Sequence, residues 1–125
     1  MIRTVVAAVE DMLFVSKIRE AAKARSVIAN FPRSADLLLN TITEDPPNLI
    51  VVDLHSLRFN AIELAGELKS NESLKVIPLL GFFSHVQKDL QRQAFEAGYD
   101  QVIPRSVFFR DLASILAGEQ QRPDR

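Results

Sequence analysis

Leu49-Ile50-Val51-Val52-Asp53 is a continuous apolar run that ends in a carboxylate, and the turn signal Asp45-Pro46-Pro47-Asn48 stands directly before it. A half-exposed strand would alternate polar with apolar residues. An unbroken run of this length therefore predicts a strand buried on both faces of a parallel sheet. Asp53 falls at the carboxyl end of that strand. In an open α/β sheet this is the edge where ligands bind, outside the strand ends and close to helix N-termini. The stretch alone leaves a second reading open, in which Asp53 only ends the strand or caps a turn.

Working outward, the same alternation repeats. Thr4 to Val9 is a first strand, followed at once by two adjacent acids, Glu10 and Asp11. From Met12 to about Arg25, Phe14, Val15, Ile18, Ala21 and Ala22 recur at helical spacing, with Lys17, Arg19, Glu20 and Lys23 opposite them. Ser26 to Phe31 is a short second strand stopped by Pro32. Ser34 is placed to cap a helix that carries Leu37, Leu38, Leu39 and Ile42 to about Glu44.

After Asp53, residues 54–59 form a loop. Asn60 caps a helix whose inner stripe is Ile62, Leu64, Ala65 and Leu68. Val76 to Phe83 is a fourth strand with Pro78 near its start, and a helix from about Val86 to Ala97 stops at Gly98. A short fifth strand lies within Tyr99–Pro104. Ser106 then caps a last helix with Phe109, Leu112, Ile115 and Leu116 as its core stripe, closing at Gly118. Phe82-Phe83 and Phe108-Phe109 are expected to contribute one core and one exposed member each. Five strands alternating with five helices imply right-handed crossovers and a parallel sheet covered on both faces.

Composition narrows the chemistry. The chain has 125 residues, which suits one domain, here residues 1–118 with a polar, frayed tail over 119–125. Fifteen basic and sixteen acidic residues give a net charge of -1, so no global field favours nucleic acid or an anionic membrane. Cysteine is absent, which excludes disulfides, thiolate metal sites and a cysteine nucleophile and suits a reducing cytoplasm. Glu10 and Asp11 follow the short N-terminal apolar stretch where a signal peptide needs small residues, and no run approaches the roughly 20 residues of a membrane span.

Three acids, Glu10, Asp11 and Asp53, fall at the ends of two neighbouring strands, and Ser84 and Arg105 fall just after strands four and five. Hard oxygen ligands at one edge favour Mg2+, which keeps waters and needs only one or two carboxylates plus a phosphate. A carboxylate beside such an ion can attack phosphorus and form an acyl phosphate. Each group also has a plainer reading. Glu10 and Asp11 suit the N-terminus of the first helix, Ser84 suits the cap of the fourth, Arg105 suits an ion pair with an acid of the cluster, and His55 and His85 suit surface loops.

Asp53-Leu54, followed by Asn60-Ala61-Ile62-Glu63-Leu64, resembles the phosphoacceptor Asp-Leu and the downstream Asp-Gly-x-Glu-Leu of the receiver domain of bacterial response regulators. Ala97-Gly98-Tyr99-Asp100 resembles that family's Gly-Ala-Asp-Asp turn. The resemblance runs from about Arg3 to Leu116. It implies a flavodoxin-like (βα)5 three-layer sandwich with a five-stranded parallel sheet in the order 2-1-3-4-5. It also implies Asp53 as phosphoacceptor, Mg2+ held by Glu10, Asp11, Asp53 and the backbone carbonyl of His55, and Arg105 as the cation at the family's lysine position. Catalysis is then limited to self-phosphorylation and autodephosphorylation. The implied partners are a histidine kinase or phosphotransfer protein, an output protein, and a second copy through the face of helix four, strand five and helix five.

The departures are equally specific. Arg105-Ser106 stands where the family has Lys-Pro, Phe83 stands at the switch Ser or Thr with Ser84 one place later, Val102 stands at the switch aromatic, and Leu57 at the loop proline. Ser84 serves as the switch hydroxyl only if a bulge or register shift moves it. These departures mark an atypical receiver, and they keep open a phosphorylation-independent pseudo-receiver that works as an interaction or dimerisation module. A flavin-binding domain of the same architecture is disfavoured, because no Ser/Thr/Gly-rich loop follows the first strand to cradle a phosphate.

Overall fold

Strand β3 (Leu49–Asp53) is buried at every position, as its apolar run requires. It lies at the centre of a five-stranded sheet with β1 (Thr4–Ala8), β2 (Ile28–Asn30), β4 (Leu79–Phe83) and β5 (Gln101–Pro104). All pairs are parallel, in the order β2-β1-β3-β4-β5. The computed structural model describes residues 2–84 and 87–119. Expectations for His85, for Val86 and for the tail over 120–125 lie outside the described residues.

Among the described residues, six helical segments cover the sheet: α1 (Met12–Ala24), α2 (Ala35–Glu44), α3 (Ala61–Lys69), α4 (Lys88–Ala97), α5 (Arg105–Arg110) and α6 (Leu112–Ala117). Because successive strand residues point to opposite faces, the core is split in two. Val6, Ile50, Val52, Leu79 and Phe83 pack with side chains of α2, α3 and α4. Val5, Val51, Leu80 and Phe82 pack with those of α1, α5 and α6. The expected three-layer sandwich with sheet order 2-1-3-4-5 is thus the observed fold. Among the described residues, no helix is long and apolar enough to cross a membrane.

Caps set most helix boundaries. The Asp11 carboxylate accepts from Leu13 N and Phe14 N, Ser34 Oγ from Leu37 N, and Asn60 Oδ1 from Glu63 N. Gly98 and Gly118 end α4 and α6 with φ of 118° and 76°, which an L side chain rarely adopts.

Several boundaries differ from the sequence reading. Strand β4 begins at Leu79, because residues before Pro78 turn off α3 and leave Val76 exposed. Ser106 is not the cap of the last helix. That helix starts at Arg105 with Pro104 in the extended capping position, and it breaks at Asp111 into α5 and α6. Ser84 does not cap α4, which starts four residues later at Lys88 behind Gln87. Phe82 and Phe83 are both buried, one on each face, instead of one buried and one exposed. Phe108 rather than Phe109 is the fully buried member of its pair, and it stacks on Phe82 with ring centroids 4.6 Å apart. Glu119, at the start of the expected tail, is ion-paired with Arg25.

Candidate functional site

The parallel sheet brings the carboxyl ends of β1 and β3 side by side, Ala8 pairing with Val52, so Glu10 and Asp53 emerge at one edge. Asp53 is the only buried charged residue among those described, at 9% exposure. Its Oδ1 accepts from His55 N at 2.9 Å. Burial pushes its pKa above the ordinary carboxylate value. The His55 N–H and the positive charge of Arg105 oppose that shift, while the negative charge of Glu10 adds to it. Asp53 therefore carries a charge that its surroundings compensate only in part.

Glu10 sits half-exposed and well engaged. Its Oε2 accepts from Ser56 Oγ at 2.6 Å and from Arg58 N at 3.2 Å, and its Oε1 lies 3.8 Å from Arg58 Nε. The Ser56 hydroxyl and the Arg58 N–H hold its pKa below the ordinary value. Asp11 is exposed and spends its carboxylate on the first turn of α1. Among the described residues, no three His, Asp or Glu side chains converge closely enough to hold a metal ion by themselves.

Two features bear on whether a divalent cation fits. Glu10 and Asp53 are like charges within electrostatic reach of each other, a repulsion that a cation between them would relieve. The donors at this edge are hard oxygens, and Mg2+ completes its octahedron with water around one or two carboxylates. The donor set suits Mg2+ provided that Glu10 turns from its present partners.

The remaining residues divide. Arg105 is exposed at the start of α5. Its guanidinium lies over the Phe14 ring, 5.3 Å from the centroid, and it forms no ion pair with the acids among the described contacts. Its charge still reaches Asp53. Ser84 lies one place beyond β4. That strand pairs without a bulge, Ile50 to Asp53 opposite Leu79 to Phe82 and Leu80 to Phe83 opposite Gln101 to Pro104. No register shift moves Ser84 towards Asp53. It lines a pocket with Leu13, Lys17, Arg105 and Ser106 instead. Phe83 points into the core on the α3 and α4 side, and Val102 packs half-buried against the same cluster. His55 Nε2 is buried without a hydrogen-bond partner among the described residues.

Sequence reasoning missed Ser56 and Arg58. Both lie in the β3–α3 loop, where side-chain direction follows no periodicity. The signal in the sequence was two hydrogen-bonding side chains placed just after an acid-bearing strand.

No protein-family model matches the chain, and no curated protein does. Solved structures do match. The chain is similar to the phosphorylated cyanobacterial phytochrome response regulator RcpA, with 18% identity over 94% of this chain and 91% of that one, at a TM-score of 0.78. It is similar to the response regulator Rcp1 in its Mn(2+)-bound form, with 18% identity over 93% and 90% of the two chains, at a TM-score of 0.73. It is also similar to a chemotaxis response regulator of Vibrio cholerae, with 10% identity over 96% and 100%, at a TM-score of 0.82. At these identities the likeness is one of fold.

Proposed function

We propose that the chain acts as a receiver in two-component signalling, in which Asp53 accepts a phosphoryl group from a histidine kinase or phosphotransfer protein and the modified domain binds an output protein. The observation that carries this reading is Asp53 itself. A buried carboxylate at the ligand-binding edge of a parallel sheet, held by one backbone N–H and without an ion pair among the described contacts, costs stability and has no packing purpose. The phosphorylated and Mn(2+)-bound states named for two structures of the same fold support the same chemistry.

In this mechanism a carboxylate oxygen of Asp53 attacks the phosphorus of the donor. The donor's P–N bond breaks and its electron pair leaves with the imidazole. Asp53 Oδ1 is oriented by His55 N–H, and the reacting group stays shielded from bulk water by its burial. Arg105 adds positive charge beside the developing phosphoryl oxygens, after leaving the face of Phe14. Asp53, Glu10 and the His55 carbonyl, with Asp11 as a further carboxylate at the same edge, would hold Mg2+, which when bound would supply charge neutralisation.

A second reading is favoured by one observation. Phe83 fills the core where a switch hydroxyl would stand, so the domain lacks the means to relay a phosphoryl group through β4 and works as a constitutive interaction module. Incubation with acetyl phosphate and Mg2+, followed by intact mass measurement, separates the two. The first reading predicts one added phosphoryl group on the wild type and none on Asp53→Asn. An unmodified wild type supports the second.

A further inference from the structure

The groups that hold Glu10 belong to a single short segment. Ser56 Oγ donates to Glu10 Oε2 at 2.6 Å and also accepts from Phe59 N at 3.3 Å. Arg58 N donates to the same Oε2 at 3.2 Å, and its guanidinium Nε lies 3.8 Å from Oε1. Both oxygens of Glu10 therefore face the β3–α3 loop, and both positive and hydrogen-bonding character arrive from it. The loop is anchored at its far end by Phe59, which is fully buried, while Leu57 between the two contacts is almost wholly exposed. Leu57 therefore adds no buried packing that would resist a change of conformation once Glu10 lets go.

We propose that Ser56 and Arg58 form a latch on Glu10 that competes with a divalent cation for the same carboxylate, so that metal binding at the Asp53 edge and release of the β3–α3 loop are one event. This inference rests on Asp53 and Glu10 forming a metal-dependent site. The physical basis is that a carboxylate hydrogen-bonded by an N–H and a hydroxyl is a poorer metal ligand than a free one, and the guanidinium 3.8 Å away already supplies a cation there. Binding is then coupled to loop conformation by the difference in free energy between the latched and open states.

Calorimetric titration of Mg2+ into wild type, Arg58→Ala, Ser56→Ala and Glu10→Gln tests this, with circular dichroism confirming the fold. The latch predicts that Arg58→Ala tightens Mg2+ binding between about 1.5- and 5-fold, the range of an exposed ion pair. It predicts that Ser56→Ala, which leaves net charge unchanged, tightens it too, and that Glu10→Gln weakens it. Hydrogen exchange at the Arg58 amide must also speed up in wild type on adding Mg2+. Tightening in Arg58→Ala alone, with the Arg58 amide unmoved, reduces the effect to bulk charge and overturns the latch. Equal affinity in wild type, Arg58→Ala and Ser56→Ala overturns it and leaves the metal site standing. Absence of Mg2+ binding in every variant overturns both.

Discussion

Replacing Asp53 with Asn makes the protein more stable at neutral pH, although it removes the residue on which the proposed function rests. The folded environment disfavours the charge, since desolvation outweighs the help from His55 N–H and Arg105. Asn keeps an acceptor for the His55 N–H, 2.9 Å away, so the loss is the difference between a charge-assisted and a neutral hydrogen bond, about 1 kcal/mol. Against it stands the effective penalty of burying a carboxylate, several kcal/mol before compensation. The balance is a net gain of about 1 kcal/mol, or roughly 3–5 °C in Tm for a chain of this size. The gain depends on pH with a fixed sign. Below the unfolded value of 3.8 the carboxyl is protonated in both states and the two proteins differ little. As pH rises from 3.8 through the raised folded value, wild type loses stability relative to the amide, and above that the gap is constant. Thermal melts of both proteins from about pH 3 to neutral pH read it directly. An Asn variant no more stable than wild type at neutral pH, or a gap that widens towards acid, refutes the reasoning.

Two further outcomes follow from the caps and the core. Asp11→Ala removes the N-cap of α1 and costs about 1 kcal/mol in urea denaturation, whereas Asp11→Asn keeps the cap and most of the stability; a metal contribution from Asp11 would show as weaker Mg2+ binding in Asp11→Asn. Tyr99→Phe deprives the Ala61 carbonyl of its buried donor, 2.9 Å away at the start of α3, and costs about 1–3 kcal/mol by the same measurement.

The sheet was legible because burial on both faces leaves a simple trace. The run Leu49 to Val52 and the periodic stripes of the helices each state their own environment, and Ser34, Asn60 and Gly98 mark ends by chemistry that acts within four residues. What was not legible depends on contacts distant in sequence. Val76 and Ile77 are as apolar as strand residues, yet their segment belongs to a turn before Pro78, where pairing with Ile50 begins through the Pro78 carbonyl. Phe108 and Phe109 both reach the Phe82 ring, and it is Phe108 that stacks flat on it and is fully buried, a contact 26 residues away that the sequence does not announce. In the site, the position of Asp53 followed from its strand. The partners of Glu10 did not, since Ser56 and Arg58 reach it from 46 and 48 residues away through a loop with no period. Arg105 was placed correctly at the edge, but the aromatic face of Phe14 that holds it lies on a different helix.

Trapping the acyl phosphate tests the central claim most directly. Wild-type protein treated with acetyl phosphate and Mg2+ is reduced with borohydride, which converts a phosphorylated aspartate to homoserine, and then digested and sequenced by mass spectrometry. The account predicts homoserine at position 53 and nowhere else, dependent on Mg2+. Aspartate intact at 53, or homoserine at another acid, contradicts it.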